Sequence, residues 1–103
     1  MSKGICNINK PIGEIITHIC EKYGMEIEDI KGKCRENYLI WPRHLAMYMC
    51  YQAGHTTIII GKAFNRSRSM ANHAINSVHT LCSVYPKLNK ERLEIAKELQ
   101  IIE

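Results

Sequence analysis

The chain has 103 residues, 46% of them apolar and 23% charged, with a formal net charge of +4. That is enough for one hydrophobic core without disulfides, in the ordinary composition range of a globular domain. No apolar run approaches the ~20 residues that cross a bilayer as a helix, and the N-terminus lacks the apolar core of a signal peptide, which points to a cytoplasmic protein.

The five cysteines are Cys6, Cys20, Cys34, Cys50 and Cys82. Their number is odd and none has C-x-x-C spacing, so neither a disulfide framework nor a zinc ribbon is expected. His18 with Cys20, and His79 with Cys82, are lone pairs without a matching second half. No metal site is expected, and the thiols read as buried and reduced. Charge is unevenly spread. Residues 37–90 contain no Asp or Glu, and the basic residues from 31 to 68 are Lys31, Lys33, Arg35, Arg43, Lys62, Arg66 and Arg68, against the single acid Glu36. The acids gather towards the two ends. This asymmetry suggests a middle that faces a polyanion; a solvated basic surface is the plainer reading.

In chain order, residues 1–10 read as a flexible lead-in and 11–103 as one helical domain. Pro11 can open a helix, since its missing N–H is not needed there. Ile12, Ile15, Ile16, Ile19, Cys20 and Tyr23 then keep helical spacing up to Gly24. The opposite face, with Glu14, Thr17, His18, Glu21 and Lys22, looks merely solvated. Ile27 and Ile30 suggest a helical turn that stops at Gly32. Residues 33–40 read as a loop, and Trp41-Pro42 as the start of a third helix, with Leu45, Ala46, Met49, Cys50 and Ala53 as core and Gly54 as its stop. Trp41 reads as a core anchor.

Residues 56–85 organise the rest. Thr56 can cap a short helix in which Ile59, Ile60, Ala63 and Phe64 share a face. The β-branched run 56–60 is also compatible with a strand, but no second strand pattern pairs with it. Asn65-Arg66 makes a turn, and Ser67 sits where a second helix needs its N-cap. That helix carries Met70, Ala74, Ile75, Val78, Leu81 and Cys82 on one face and Arg68, Ser69, Asn72, Asn76 and Ser83 on the other. Pro86 breaks the chain, and Asn89 can cap a last helix whose core face is Leu93, Ala96, Leu99 and Ile102, with Leu88 and Leu93 as a hydrophobic staple.

Catalysis finds little support. Neither G-x-x-x-x-G-K-[ST] nor G-x-G-x-x-G occurs, the acid-free middle has no paired carboxylates, and nothing in the sequence orients Cys50 against His44 or His55. Double-stranded DNA explains more residues at once. The N-terminus of a capped helix offers unpaired N–H groups to phosphates. Arg68 can pair bidentately with guanine, and Asn72 or Asn76 with adenine, in a major groove. Lys33 and Arg35, on a loop, suit backbone contacts or minor-groove insertion.

From about residue 12 to 99 the chain resembles the C-terminal DNA-binding domain of the bacterial chromosomal replication initiator, the DnaA family. The matching pieces, in order, are the opening helix ending Tyr23-Gly24, then Ile27-Glu28-Asp29-Ile30-Lys31-Gly32-Lys33, then Pro42-Arg43-His44-Leu45-Ala46-Met47-Tyr48, Ile60-Gly61-Lys62-Ala63-Phe64 and His73-Ala74. The resemblance implies an all-α, Trp-repressor-like fold of five to six helices around a helix-turn-helix, without metal or nucleotide cofactor. It implies that Arg35 enters the minor groove and Arg43 contacts the DNA backbone. The family's recognition helix opens R-D-H-[ST]-T-V; here Arg66-Ser67-Arg68-Ser69-Met70-Ala71 follows a turn one residue shorter. Arg66 and Ser69 agree with that signature, whereas Ser67, Arg68 and Met70 replace base-reading positions, so duplex binding carries over better than the family's target sequence. The expected site is Ser67, Arg68, Ser69 and Asn72 in the major groove, Arg35 in the minor groove, and Lys33, Arg43, Lys62, Arg66 and His73 on phosphates, in control of replication initiation or transcription. Replication proteins are further candidate partners. The family's ATPase portion has no counterpart, and Met1 with the divergent signature favours a small free-standing protein of the kind a phage or mobile element carries. The competing class is a protein-interaction module on a helix-turn-helix scaffold that has lost DNA reading.

Overall fold

A computed structural model describes residues 11–32 and 37–100. The lead-in 1–10, the predicted contacts Lys33 and Arg35, the thiols Cys6 and Cys34, and Ile102 lie outside the described residues. Six helices follow one another: α1 (Ile12–Tyr23), α2 (Ile27–Lys31), α3 (Asn37–Gln52), α4 (Thr57–Ala63), α5 (Arg68–Val84) and α6 (Pro86–Leu99). No strand occurs among the described residues. The all-α expectation stands, and the 56–60 run is helical: Thr56 Oγ1 accepts from the Ile59 N–H at 3.3 Å, a cap that a strand would not use.

The first two helices form as their spacing predicts. α1 buries Ile15, Ile16, Ile19 and Cys20 and ends on Gly24, which takes the left-handed conformation at φ 66° and donates to Cys20 O. α2 is held at its start by the Asp29 carboxylate, which accepts from the Glu26 N–H at 3.0 Å, and it closes at Gly32.

α3 differs from its prediction. It begins at Asn37, so Pro42 lies inside the helix rather than in its first turn. A proline there removes one intrahelical hydrogen bond, yet burial outweighs that loss. Residues 45–50 are buried without interruption, together with Arg43 and Ala53, as befits a helix packed on several sides. α3 lies against α5 and α1, and α5 lies in turn against α4 and α6.

The C-terminal part carries three further corrections. Ile59 is half exposed, as is Ile58, so α4 reaches the core through Ile60 and the fully buried Phe64 that ends it. Tyr85, not Asn89, stands at the N-cap of α6, and Pro86 is its first residue, because a proline at that position forfeits no bond. Asn89 is inside the helix and accepts from Arg92 Nη2 at 2.6 Å. Leu93 is 49% exposed; Ile95, Ala96 and Leu99 make the core face.

Polar ties lock α6 across the bundle. Tyr23 Oη donates to Glu91 Oε1 at 2.6 Å, and Trp41 Nε1 donates to Tyr23 Oη at 3.1 Å and to Glu91 Oε1 at 3.3 Å. Trp41 is thus the anchor the sequence suggests, packed against the core while satisfying its indole N–H. The polar face of α1 is more than solvated: His18 and Lys22 meet Glu98 of α6 at 2.8 and 3.1 Å. Cys20 and Cys50 are buried free thiols. Burial raises the pKa of both, of Cys50 most, so neither is poised as a nucleophile.

Candidate nucleic-acid interface

The site is built from α4, the turn after it and the first turns of α5. α4 ends because Asn65 takes the left-handed conformation at φ 58°, which asparagine tolerates well. The chain folds back at once, and the Arg66 N–H donates to Gly61 O at 2.7 Å. Gly61 is needed for this approach. A Cβ at that position would lie 2.8 Å from Arg66 O and 3.1 Å from both the carbonyl carbon and the oxygen of Ser67. Ser67 then caps α5, its Oγ accepting from the Met70 N–H at 3.2 Å. The sequence-level cap and turn are where they were expected.

The first turn of α5 has no acidic residue. Lys62, Ser67, Arg68, Ser69, Met70, Asn72, His73 and Asn76 are all exposed. Arg68, Asn72 and Asn76 recur at i, i+4 and i+8, beside the i, i+4 pair Ser69 and His73, and so form one continuous outward face. Beyond its first two turns the face passes into an open groove of about 320 Å³ lined by His73, Asn76, Ser77, Thr80 and Leu81. Met70 is a correction: placed on the core face by its spacing, it is 44% exposed. Ala71, Ala74, Ile75 and Val78 make the buried stripe, which leaves Met70 on its rim.

Two arginines of the predicted phosphate set have other partners. Arg66 Nη1 donates to Phe64 O at 3.4 Å and Asn65 O at 3.2 Å, and its Nη2 donates to Gly32 O. Arg66 therefore ties the turn to the end of α2 while staying partly exposed. Arg43 is not on the outward surface. It is 6% exposed, with Nε donating to Ile30 O at 3.1 Å and Nη2 to Asp29 O. The cause is helical register, since Arg43, Met47 and Cys50 follow i, i+4, i+7 and all three face inward.

His44 is the residue that sequence reasoning undervalued. Its ring meets that of His73 edge-on, with centroids 6.0 Å apart. Burial, followed by the charges of His73, Arg43 and Arg66, lowers its pKa from 6.5 to about 4. The only sequence signal was its place in the Pro42-Arg43-His44 piece. The sign of the consequence is fixed. The folded chain resists protonating His44 while the unfolded chain does not, so between pH 6.5 and about 4 the unfolded state binds more protons and stability falls as pH falls. On the order of 2 kcal/mol should be lost across that window, after discounting for partial solvent access. Denaturant melts at stepped pH should show this slope in the parent chain and a flatter one in His44→Gln.

Sequence similarity to known proteins gives the family. The bacterial dnaA protein helix-turn-helix family matches residues 12–78. The chain belongs to that family. It is 39% identical over 62 residues to the chromosomal replication initiator protein DnaA of Mycoplasma capricolum, covering 59% of this chain and 13% of that protein. It is 33% identical over 66 residues to a DnaA of Protochlamydia amoebophila, covering 63% and 15%, and 37% identical over 62 residues to the DnaA of Mycoplasma mycoides, covering 59% and 22%. The matched stretch thus spans less than a quarter of each of these relatives. The chain is a replication-initiator-like, DNA-binding helix-turn-helix domain, and among its described residues no helix is long and apolar enough to cross a membrane.

Proposed function

We propose that this chain binds double-stranded DNA with sequence preference through α5, in control of replication initiation or of transcription, as a non-catalytic protein that needs no nucleotide cofactor and works at the cytoplasmic nucleoid. The observation that carries the reading is the capped, acid-free first turn of α5, whose Arg68, Ser69 and Met70 are exposed directly after the close turn over Gly61. A helix N-terminus of this kind presents unpaired N–H groups and positive dipole to phosphates. Its side chains carry the donors that base edges require.

Ser67, Arg68, Ser69 and Asn72 are assigned to the major groove. Lys62 and His73 are assigned to phosphates, with Arg66 divided between a phosphate and its carbonyl partners. Arg43 moves from the phosphate set to support of the bundle. Lys33 and Arg35 keep the backbone and minor-groove roles that the family resemblance implies. Signature positions replaced by Ser67, Arg68 and Met70 support a target different from the family's usual one, and such divergence suits a copy carried by a phage or another mobile element.

The test is selection of duplexes from a random library near physiological salt, followed by salt titration. An enriched motif whose affinity falls steeply with salt is the expected result. Arg68→Ala should cost about 1–3 kcal/mol and relax preference at one base pair, while Lys62→Ala should weaken all duplexes alike and lower the salt slope by about 1. Equal effects from the two would overturn the assignment. A second reading has one observation in its favour: Ile58 and Ile59 stand exposed side by side on α4, as a protein-docking face would. Failure to retain any duplex would select it.

A further inference from the structure

Met70 is the residue of the interface that phosphate binding and hydrogen-bonded base reading leave unexplained. It lies in the first turn of α5, between the exposed polar residues Ser67, Arg68 and Ser69 and the outward pair Asn72 and His73. Its side chain is 44% exposed, although Ala71, Ala74, Ile75 and Val78 beside it are buried. Its backbone is not loose, because its N–H is bound to Ser67 Oγ at 3.2 Å. In a helix the Cα–Cβ bond leans towards the N-terminus, so a long side chain at this position reaches towards the end that would enter a groove. There it presents an apolar thioether among donors and acceptors. The major-groove edges offer one apolar group, the C5-methyl of thymine.

Resting on the DNA-binding reading above, we infer that Met70 is a specificity-determining residue that packs against the C5-methyl group of a thymine. Thioether and methyl remove each other from water, while Arg68, Ser69 and Asn72 supply the hydrogen bonds of neighbouring steps. The preference reads methylation of the pyrimidine ring itself, since uracil keeps every hydrogen-bonding group of thymine and lacks only the methyl.

The experiment uses the full chain and the best duplex from the selection, with each thymine replaced in turn by deoxyuridine. At one position the parent should lose affinity by about fourfold, the worth of one methyl-sized group removed from water. Met70→Ala should bind the thymine duplex as weakly as the parent binds that uracil duplex, and should show no further loss on the uracil change. Met70→Leu should keep the loss. Because the side chain is 44% exposed, both variants should stay folded with the parent's helicity at the assay temperature, and circular dichroism checks this. A flat response to uracil at every thymine, or an unchanged uracil penalty in Met70→Ala, overturns the inference while leaving DNA binding intact. Absence of binding to any duplex overturns both, and so is distinguishable.

Discussion

Gly61→Ala is expected to destabilise the chain by roughly 2–4 kcal/mol, the sum of an overpacked contact, a weakened turn and a disturbed cap. An alanine in an exposed helix normally does the opposite, gaining about 0.5–1 kcal/mol over glycine. Gly13 in the first turn of α1 is such a site, with nothing within 4 Å of an added Cβ. At Gly61 the added carbon meets backbone instead, 2.8 Å from Arg66 O and 3.1 Å from two Ser67 atoms. No rotamer change relieves that contact. The turn must move away, stretching the bond from the Arg66 N–H to Gly61 O and shifting the Ser67 cap with it. Gly13→Ala is therefore the control, and the two variants should change denaturation midpoints in opposite directions. Where Gly61→Ala still folds, duplex affinity should fall by more than its stability loss accounts for at saturating fold, because the displaced segment carries Ser67 and Arg68.

Much of this was legible in the sequence because the signals were local. A cap is one hydroxyl at the right place, and Thr56 and Ser67 both accept as their positions suggest. A left-handed stop favours glycine or asparagine, and Gly24 and Asn65 supply two of them. What could not be read was set by the neighbours of each helix. Periodicity places Met70 and Leu93 next to a core stripe, but α5 and α6 are rotated so that Ala71 and Ile95 face inward and those two residues stand at the rim or outside. The start of α3 was missed because Pro42 resembles a first-turn proline, and only the burial of residues 45–50 on several sides explains a helix that tolerates it six residues in. The inward turn of Arg43 was hidden for the same reason: an arginine in a basic stretch looks like a phosphate ligand until its register is known.

Arg43→Ala should accordingly behave as a core mutation. The guanidinium is almost wholly buried and donates to two carbonyls at the end of α2, those of Asp29 and Ile30. A cation against the C-terminal carbonyls of a short helix also complements their dipole. Removing it leaves a void and strips those acceptors of a charged donor, and a loss of about 2–4 kcal/mol is expected from the lost hydrogen bonds and packing together. Arg43→Lys should recover only part, because a single ammonium cannot reproduce two donors in fixed directions. Denaturant unfolding gives the stability change. The salt dependence of duplex binding gives the rest of the argument. A phosphate ligand, once removed, lowers the slope of log affinity against log salt by about 1, as Lys62→Ala should. A buried support leaves the slope as it was. Arg43→Met, which removes the charge while filling much of the same space, should show the parent slope together with a lower melting temperature. A reduced slope with unchanged stability would instead return Arg43 to the DNA surface.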